Sequence, residues 1–520
     1  MRITRSQLLL LAAIGINFVV LYYVARTQQG LDQGMGPGVP EDGEHRCSRQ
    51  TSSNVIYEKD LVTFVFREFE NFNNMIPKTV SSVLKVFPLA QILIISDKQP
   101  YPPLSLDVAS SNNIRIVTMG ISPNQSQYMS RPENFIKTEY VIFLPDGIEI
   151  LTSSAVKLMV SKLKSIQGSK QMHHVRLVAL KVDAVAESEL AACQTLNVDL
   201  KQWTLMYSSS GSHICDTVSG THAVLLRTVD LVTLGYPYAR PMQTSLYIQT
   251  TLRQWKVALI SSSESVSMET AHTDAHSQWK YSNNQHERVT NLYDSFGIKK
   301  VVQPTGEIEW YGCKRDTARC FGTIIDDMPE YLYEGRWTPP CCMEHLRETA
   351  HYVFRILDSA SIRYWLEGGS LLGAARHGDI IPWDYDVDVG MYKDDIAKCP
   401  KLADLKDGIP SVDDNGYVWE KATEGDFYRV QYSVSNHMHV DIFPFYTKDG
   451  IMTKDSWFKT HRQDTEFPEH YLKPLTKINF AGMQVSAPNN VREFLEFKFG
   501  EGVIENPQYP DPEKLKMPQN

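Results

Sequence analysis

The chain has 520 residues, 42% of them hydrophobic and 22% charged, with a formal net charge of -9. That length exceeds one compact domain and predicts two, of ordinary globular composition. The negative balance excludes general nucleic-acid binding, which needs a basic footprint, so a phosphorylated ligand would have to be attracted locally.

Residues Leu8 to Ala25 form an apolar stretch interrupted by Gly15 and Asn17. At about 1.5 Å per residue, a helix of that length crosses a bilayer. Bulky Phe18, Leu21, Tyr22 and Tyr23 run to its end in place of a small-residue cleavage site, which predicts an uncleaved signal anchor. Arg2 and Arg5 precede it and Arg26 alone follows closely, so residues 1–7 are expected in the cytosol and the rest in the secretory lumen. Residues 26–56, rich in Gly, Pro, Gln, Ser and charge, predict a flexible stem.

From residue 57 the texture changes. Leu61 to Phe66, Gln91 to Ile95, Ile114 to Met119 and Tyr140 to Leu144 predict strands, and Ile76 to Phe87 has helical spacing with Val80, Val83, Leu84 and Phe87 as its stripe. Strands alternating with helices predict a parallel α/β sheet, and the order resembles a GT-A glycosyltransferase core. In that fold an Asp-X-Asp metal motif follows the fourth of these strands. Here Leu144-Pro145-Asp146-Gly147-Ile148-Glu149 keeps one acid, Asp146, without its partner. The expectation is a GT-A-like domain over 57–297 without transferase activity, available for acceptor binding or assembly. Asn124-Gln125-Ser126 is an N-glycosylation sequon, a surface acceptor in a lumenal protein. Ala271 to Phe296, polar with a weak helical stripe, predicts the connection to a second domain over 298–520.

Eight cysteines are present. In an oxidising lumen Cys193 and Cys215, in one Ser- and Gly-containing segment, are expected to pair. Cys313, Cys320, Cys341 and Cys342 cluster in a loop over 313–342. Four thiolates can close a tetrahedral structural zinc site, and spacing alone leaves zinc and disulfides equally open.

Met343 to Ile362 predicts an amphipathic helix with Leu346, Ala350, Val353, Phe354 and Leu357 on its core side. Tyr364-Trp365-Leu366 then leads into Glu367-Gly368-Gly369-Ser370-Leu371-Leu372-Gly373. Paired glycines at a strand-to-helix turn let backbone approach a phosphate, so Gly369 and Ser370 are its candidate cradle. In Ile381-Pro382-Trp383-Asp384-Tyr385-Asp386-Val387-Asp388-Val389, strand alternation would put Asp384, Asp386 and Asp388 on one face and apolar groups on the other. Carboxylates so placed repel unless a cation neutralises them, and Mg²⁺ takes such oxygens together with substrate phosphates. A later run, His437-Met438-His439-Val440-Asp441-Ile442, alternates in the same way and offers His439 or Asp441 as general base. Arg376, His377, Lys421 and Arg429 are the nearby cations that could draw in a phosphate ester.

The segment Trp365 to Asp388 resembles the LicD/fukutin family of phospho-alditol and phosphocholine transferases. Further matching blocks are Tyr333-Glu334-Gly335-Arg336-Trp337-Thr338-Pro339-Pro340-Cys341-Cys342, Ala487-Pro488-Asn489-Asn490, Val503 to Pro510, Arg67-Glu68-Phe69-Glu70 and Leu144 to Gly147. The resemblance implies an α/β chain, α+β in its C-terminal half, with an N-terminal anchor, a GT-A-like stem domain and a nucleotidyltransferase-fold catalytic domain. It further implies a ribitol 5-phosphate transferase of the Golgi membrane, single-pass type II. Such an enzyme uses CDP-ribitol to extend ribitol 5-phosphate on the phosphorylated O-mannosyl glycan of α-dystroglycan and releases CMP. Mg²⁺ on Asp386 and Asp388, Zn²⁺ on Cys313, Cys320, Cys341 and Cys342, a homotetramer, and partnership with fukutin and other enzymes of the pathway are implied in the same way. The alternatives are a phosphocholine-type or other phospho-alditol transferase of this fold, an active glycosyltransferase using the N-terminal domain, and a non-catalytic lumenal glycan-binding protein.

Overall fold

The computed structural model describes residues 61–508 apart from 107–112, 121–126, 151, 183–190, 263–265, 270, 313, 317–323, 326–327, 424, 459–460 and 462. The expected anchor and stem, the sequon at Asn124, Cys313 and Cys320 therefore lie outside the described residues. Among the described residues no helix is long and apolar enough to cross a membrane. Residues 55–520 form one compact unit.

β-Branched and aromatic residues dominate Val62-Thr63-Phe64-Val65-Phe66, and they form strand β1 (Val62–Phe66), buried throughout. Helix α1 (Ile76–Val86) has Pro77 in its first turn, where a missing N–H costs nothing, and buries Ile76, Val80 and Val83. Strands β2 (Gln91–Ser96) and β4 (Tyr140–Leu144) flank β1 in parallel, with β3 (Ile114–Thr118) outside β2. All four expected strands are thus present. Helix α2 (Ser154–Gln167) packs Val156, Met159, Val160 and Leu163 onto the same core.

The chain continues through β5 (Val175–Lys181), β6 (Ala192–Asp199), β7 (Thr204–Ser209), β8 (Ile214–Cys215), β9 (Thr217–Ser219), β10 (His222–Arg227) and β11 (Lys256–Ile260). The main sheet has eight strands in the order β3-β2-β1-β4-β10-β5-β11-β8. It is mixed, because β10 runs antiparallel to both β4 and β5. The disulfide Cys193–Cys215 joins β6 to β8, as expected.

The polar connection is helix α3 (Ala275–Phe296), capped by the Asp274 carboxylate accepting from Ser277 N–H and ended by Gly297 at φ 66°. The next strands are β12 (Lys300–Val302) and β13 (Ile308–Trp310). Strand β12 pairs in parallel with β7, completing a five-stranded sheet β9-β6-β7-β12-β13, so these strands join a sheet of the N-terminal half. A short pairing-competent segment carried no hydrophobic period strong enough to assign it to one half.

Helix α4 (Pro340–Ser359) buries the expected Leu346, Ala350, Val353, Phe354 and Leu357. Strand β14 (Tyr364–Leu366), helix α5 (Gly368–His377) and strand β15 (Asp386–Tyr392) follow, then β16 (Val418–Lys421), β17 (Tyr428–Gln431), β18 (His439–Lys448) and the C-terminal helix α6 (Val491–Phe499). The second sheet runs β14-β15-β18-β17-β16, with Ser411–Val412 at the edge. Its centre is a parallel pairing of β15 with β18. Trp365 crosses β15 at Gly390, on the face that carries Asp386 and Asp388; a Cβ there would stand 2.3 Å from its ring, so only glycine fits.

The two halves meet through Trp203 and the 336–338 segment. Trp203 Nε1 donates to the Trp337 carbonyl at 2.7 Å, the Arg336 guanidinium lies 4.4 Å over the Trp203 ring, and Arg336 Nη1 donates to the Gly297 carbonyl at 3.1 Å. Thr338 in turn donates its hydroxyl to the Asp384 carbonyl at 2.6 Å. The N-terminal half thereby braces the turn that carries the first of the expected aspartates.

Candidate active site

Alternation along β15 and β18 puts chemistry on one sheet face. Val387, Val389, Met438, Val440 and Ile442 are wholly buried behind it. In register, Asp386 lies beside His439 and Asp388 beside Asp441. Strand β17 adds Arg429 opposite Asp441 and Gln431 opposite His439. Directly paired residues share a face, so Asp386, Asp388, His439, Asp441 and Arg429 converge. The expected three-aspartate strand needs one correction. The strand begins at Asp386; Asp384 sits in the preceding turn, where its N–H donates to the Ile381 carbonyl at 2.9 Å because Pro382 and Trp383 break the ladder.

Asp384 still reaches the cluster. A Cβ on Gly369 would stand 2.9 Å from Asp384 Oδ2, and one on Gly368 3.2 Å from Asp388 Oδ2. Two carboxylates thus press against the first turn of α5, an approach that side chains there would block. That turn has no side-chain cap, and its partial positive charge favours the carboxylates. Ser370 Oγ accepts from Asp388 N–H at 2.9 Å and is buried, so it ties α5 to β15.

Burial, then the neighbouring Asp386, pushes the Asp384 carboxyl well above the ordinary carboxylate range. Burial followed by Asp386, Asp441, Asp384 and Glu367 does the same at Asp388. Asp386 is raised by burial too, with His439 acting the other way. Four acids share this pocket, and Arg429 offsets one. Its Nε and Nη2 donate to the two oxygens of Asp441 at 2.8 and 2.7 Å. Burial alone would lower the guanidinium, yet that bidentate bond to Asp441 outweighs it and raises it.

His439 Nδ1 donates to the His437 carbonyl at 2.8 Å, a bond that requires the proton on Nδ1 and leaves Nε2 as the acceptor nitrogen of the neutral ring. Nε2 lies 3.8 Å from both Asp386 Oδ2 and Asp441 Oδ2. One ligand atom from each of Asp386, His439 and Asp441 falls within 4.8 Å of the others. Among the described residues this is the one group placed to hold a metal ion. A buried, carboxylate-rich set short of cations is the donor chemistry a hard divalent ion needs.

Two expected phosphate-attracting residues stand elsewhere. Arg376 donates to the Val503 and Ile504 carbonyls and pins the C-terminal turn. Lys421 pairs with Tyr428, which pairs with Ile442, so it lies on the opposite sheet face; its Nζ meets Asp407 at 2.8 Å and Asp426 at 3.4 Å. Their charge made them candidates, and the register that separates them is not visible in a local window. Glu367 and Lys498 were missed. Glu367 accepts from Trp365 Nε1 at 2.7 Å and from Nζ of Lys498, in α6, at 2.7 Å, a buried pair standing beside Asp388. Only the acid's place beside Gly368 hinted at it. Cys341 and Cys342 are buried in the first turn of α4, and both are disulfide-bonded, which favours disulfides over the zinc site expected there; Cys313 and Cys320 are outside the described residues.

In the N-terminal half Asp146 ends β4. Its two oxygens accept from Met75 N–H at 3.0 and 3.1 Å, and burial pushes its carboxyl up to about 6. Ile148, where a partner acid would stand, is buried.

An alternating acid strand, a glycine-opened helix and an acid on the adjacent parallel strand define a nucleotidyltransferase-type domain, and residues 361–490 match the LicD/FKTN/FKRP nucleotidyltransferase domain. Residues 48–304 match the fukutin-related protein stem domain. The human protein named ribitol 5-phosphate transferase FKRP is 46% identical over 518 residues, 99% of each chain, and its mouse counterpart is equally similar over the same share. The human protein named ribitol-5-phosphate transferase FKTN is 25% identical over 191 residues, 36% of this chain and 38% of its own. The chain belongs to the fukutin-related protein family.

Proposed function

We propose that this protein transfers ribitol 5-phosphate from CDP-ribitol to ribitol 5-phosphate already carried by the phosphorylated O-mannosyl glycan of α-dystroglycan, releasing CMP. The observation that carries the proposal is the buried convergence of Asp386, Asp388, His439 and Asp441 in a chain that matches relatives of that name from end to end. The acceptor hydroxyl oxygen bonds to the phosphorus that bears ribitol, the bond from that phosphorus to the CMP oxygen breaks, and CMP leaves.

Asp386, with Asp388 and Asp441 beside it, would hold Mg²⁺, which when bound supplies charge neutralisation at the diphosphate. Arg429 fixes Asp441 by both oxygens, which suits it to a positioned ligand beside Asp386. His439 is the general base, with Nε2 turned to the site by the bond at Nδ1. Gly368 and Gly369 leave room at the start of α5 for the Asp388 and Asp384 carboxylates that face the site. Assembly as a homotetramer with access to fukutin, and Golgi anchoring through residues 8–25, belong to the same proposal.

The test is a donor panel. CDP-ribitol, CDP-choline and CDP-glycerol are offered with a ribitol-phosphate-bearing glycopeptide, with and without EDTA, and CMP is measured. CMP release with CDP-ribitol alone, abolished by EDTA and by Asp388→Asn, is expected. Equal turnover of CDP-choline, or full turnover in EDTA, overturns the proposal.

A further inference from the structure

A cavity of about 680 Å³ in the N-terminal half opens where β1 and β4 end and α3 passes over them. Nothing in the transfer chemistry above uses it. Its walls are chemically unusual. Among the described residues no lysine or arginine lines it; Glu68, Glu70 and Asp146 do, together with the amides of Gln243, Gln278 and Gln285 and the hydroxyls of Thr221 and Thr244.

The glutamates are balanced from behind. Arg240 Nε meets Glu68 Oε2 at 3.3 Å, and Arg288 and Asn284 donate to Glu70. These guanidiniums hold the carboxylates in place without themselves lining the cavity. Each Glu68 oxygen accepts one bond, from Arg240 and from the Met242 N–H, and keeps a second lone pair, which makes it a fixed acceptor. The amides supply donors and further acceptors. On one wall Tyr281 stacks on His272, ring centroids 4.6 Å apart and 28° from parallel. Tyr281 is 40% exposed, a flat electron-rich face turned outward.

These features sort ligand classes. A nucleoside diphosphate or a uronic acid would find carboxylates in the wall and no lining cation to pair with, so its charge gains no partner there. A metal could supply that partner, but among the described residues the one metal-competent group lies at the other site. A purely apolar ligand would strand the amides and hydroxyls. A neutral polyol satisfies all of them, since its hydroxyls donate to carboxylates, exchange bonds with amides, and its C–H face packs on an aromatic ring. We propose that this cavity is a binding site for a neutral oligosaccharide, with Glu68, Gln243 and Tyr281 as its recognition groups. It does not depend on the reaction proposed for the C-terminal half.

The experiment uses the full chain in detergent. Saturation-transfer NMR is run with neutral oligosaccharides ending in mannose, N-acetylglucosamine or N-acetylgalactosamine, and with glucuronic acid and CDP as anionic probes. Transfer to at least one neutral probe is expected, weakened about tenfold by Tyr281→Ala and by Gln243→Ala and abolished by Ala271→Trp, which fills the cavity. CMP release and the melting temperature of each variant report that the fold and the second site are intact. Absence of transfer to every neutral probe overturns the proposal. So does stronger binding of the anionic probes, or neutral binding that survives Ala271→Trp.

Discussion

Replacing Asp386 by Asn separates the cost of the acid cluster from its use. Asp386 and Asp441 offer oxygens within 4.8 Å of each other. At an effective dielectric of about 20, two unit charges at that distance repel by about 3.5 kcal/mol. Arg429, bound to Asp441, offsets part of this, so about 1–2 kcal/mol is left for the metal-free fold to carry. The substituted amide keeps the shape of the carboxylate, drops the charge, and can donate to the neighbouring Asp384. In EDTA the variant is therefore expected to melt a few degrees above the parent. Mg²⁺ should reverse the order. At about a hundred times its dissociation constant it adds about 2.7 kcal/mol to the parent and little to the variant. Turnover of the variant should fall at least about a hundredfold. The assay is thermal unfolding with and without Mg²⁺, beside CMP release. An Asp386→Asn protein that is less stable than the parent in EDTA, or that Mg²⁺ stabilises as much as the parent, refutes the account of the cluster as a cation site.

Gly369→Ala places a Cβ 2.9 Å from Asp384 Oδ2; turnover should drop about tenfold while unfolding moves by less than about 1 kcal/mol, because the carboxylate end can swing away. Unchanged turnover would show that Asp384 needs no fixed position. His222 is fully buried between the Gly220 carbonyl and the Tyr247 hydroxyl, and burial holds its pKa down at about 4 against the ordinary 6.5. The unfolded chain takes the proton first as pH falls, so this contribution is complete above pH 6.5 and is lost toward pH 4, about 3 kcal/mol in all. Denaturant unfolding at both ends of that range, with His222→Gln removing most of the slope, measures it; an equal slope in the variant assigns the loss elsewhere. For the cysteine loop, Cys341 and Cys342 should be alkylated only after a reductant, with no zinc found by elemental analysis of unreduced protein. Alkylation on chelation alone, with one zinc per chain, would establish a metal site there instead.

Much of the site was legible because strand alternation is local. Met438, Val440 and Ile442 buried behind His439 and Asp441, and Val387 and Val389 buried behind Asp386 and Asp388, follow from a period of two. What a local pattern cannot carry is which strands become neighbours. The parallel register that sets Asp386 beside His439 also sets Arg429 on Asp441 and turns Lys421 away. Charge near a motif in sequence is thus weak evidence for charge near it in space.

The same limit hid the brace from the N-terminal half. Trp203, Arg336 and Trp337 are separated along the chain, yet they stack and bond into one contact that ends in the hydroxyl of Thr338 on the Asp384 carbonyl. Asp384 lies outside the strand and has no ladder partner to hold it. Its position against Gly369 is set from two sides, by the glycine turn of α5 and by a contact rooted in the other half of the molecule. That gives the N-terminal half a physical reason to stay docked on the half that carries the acid cluster. A carboxylate burdened by burial and by its neighbours will swing outward unless its backbone is fixed, and the fixing atoms here belong to a segment that the N-terminal half holds in place.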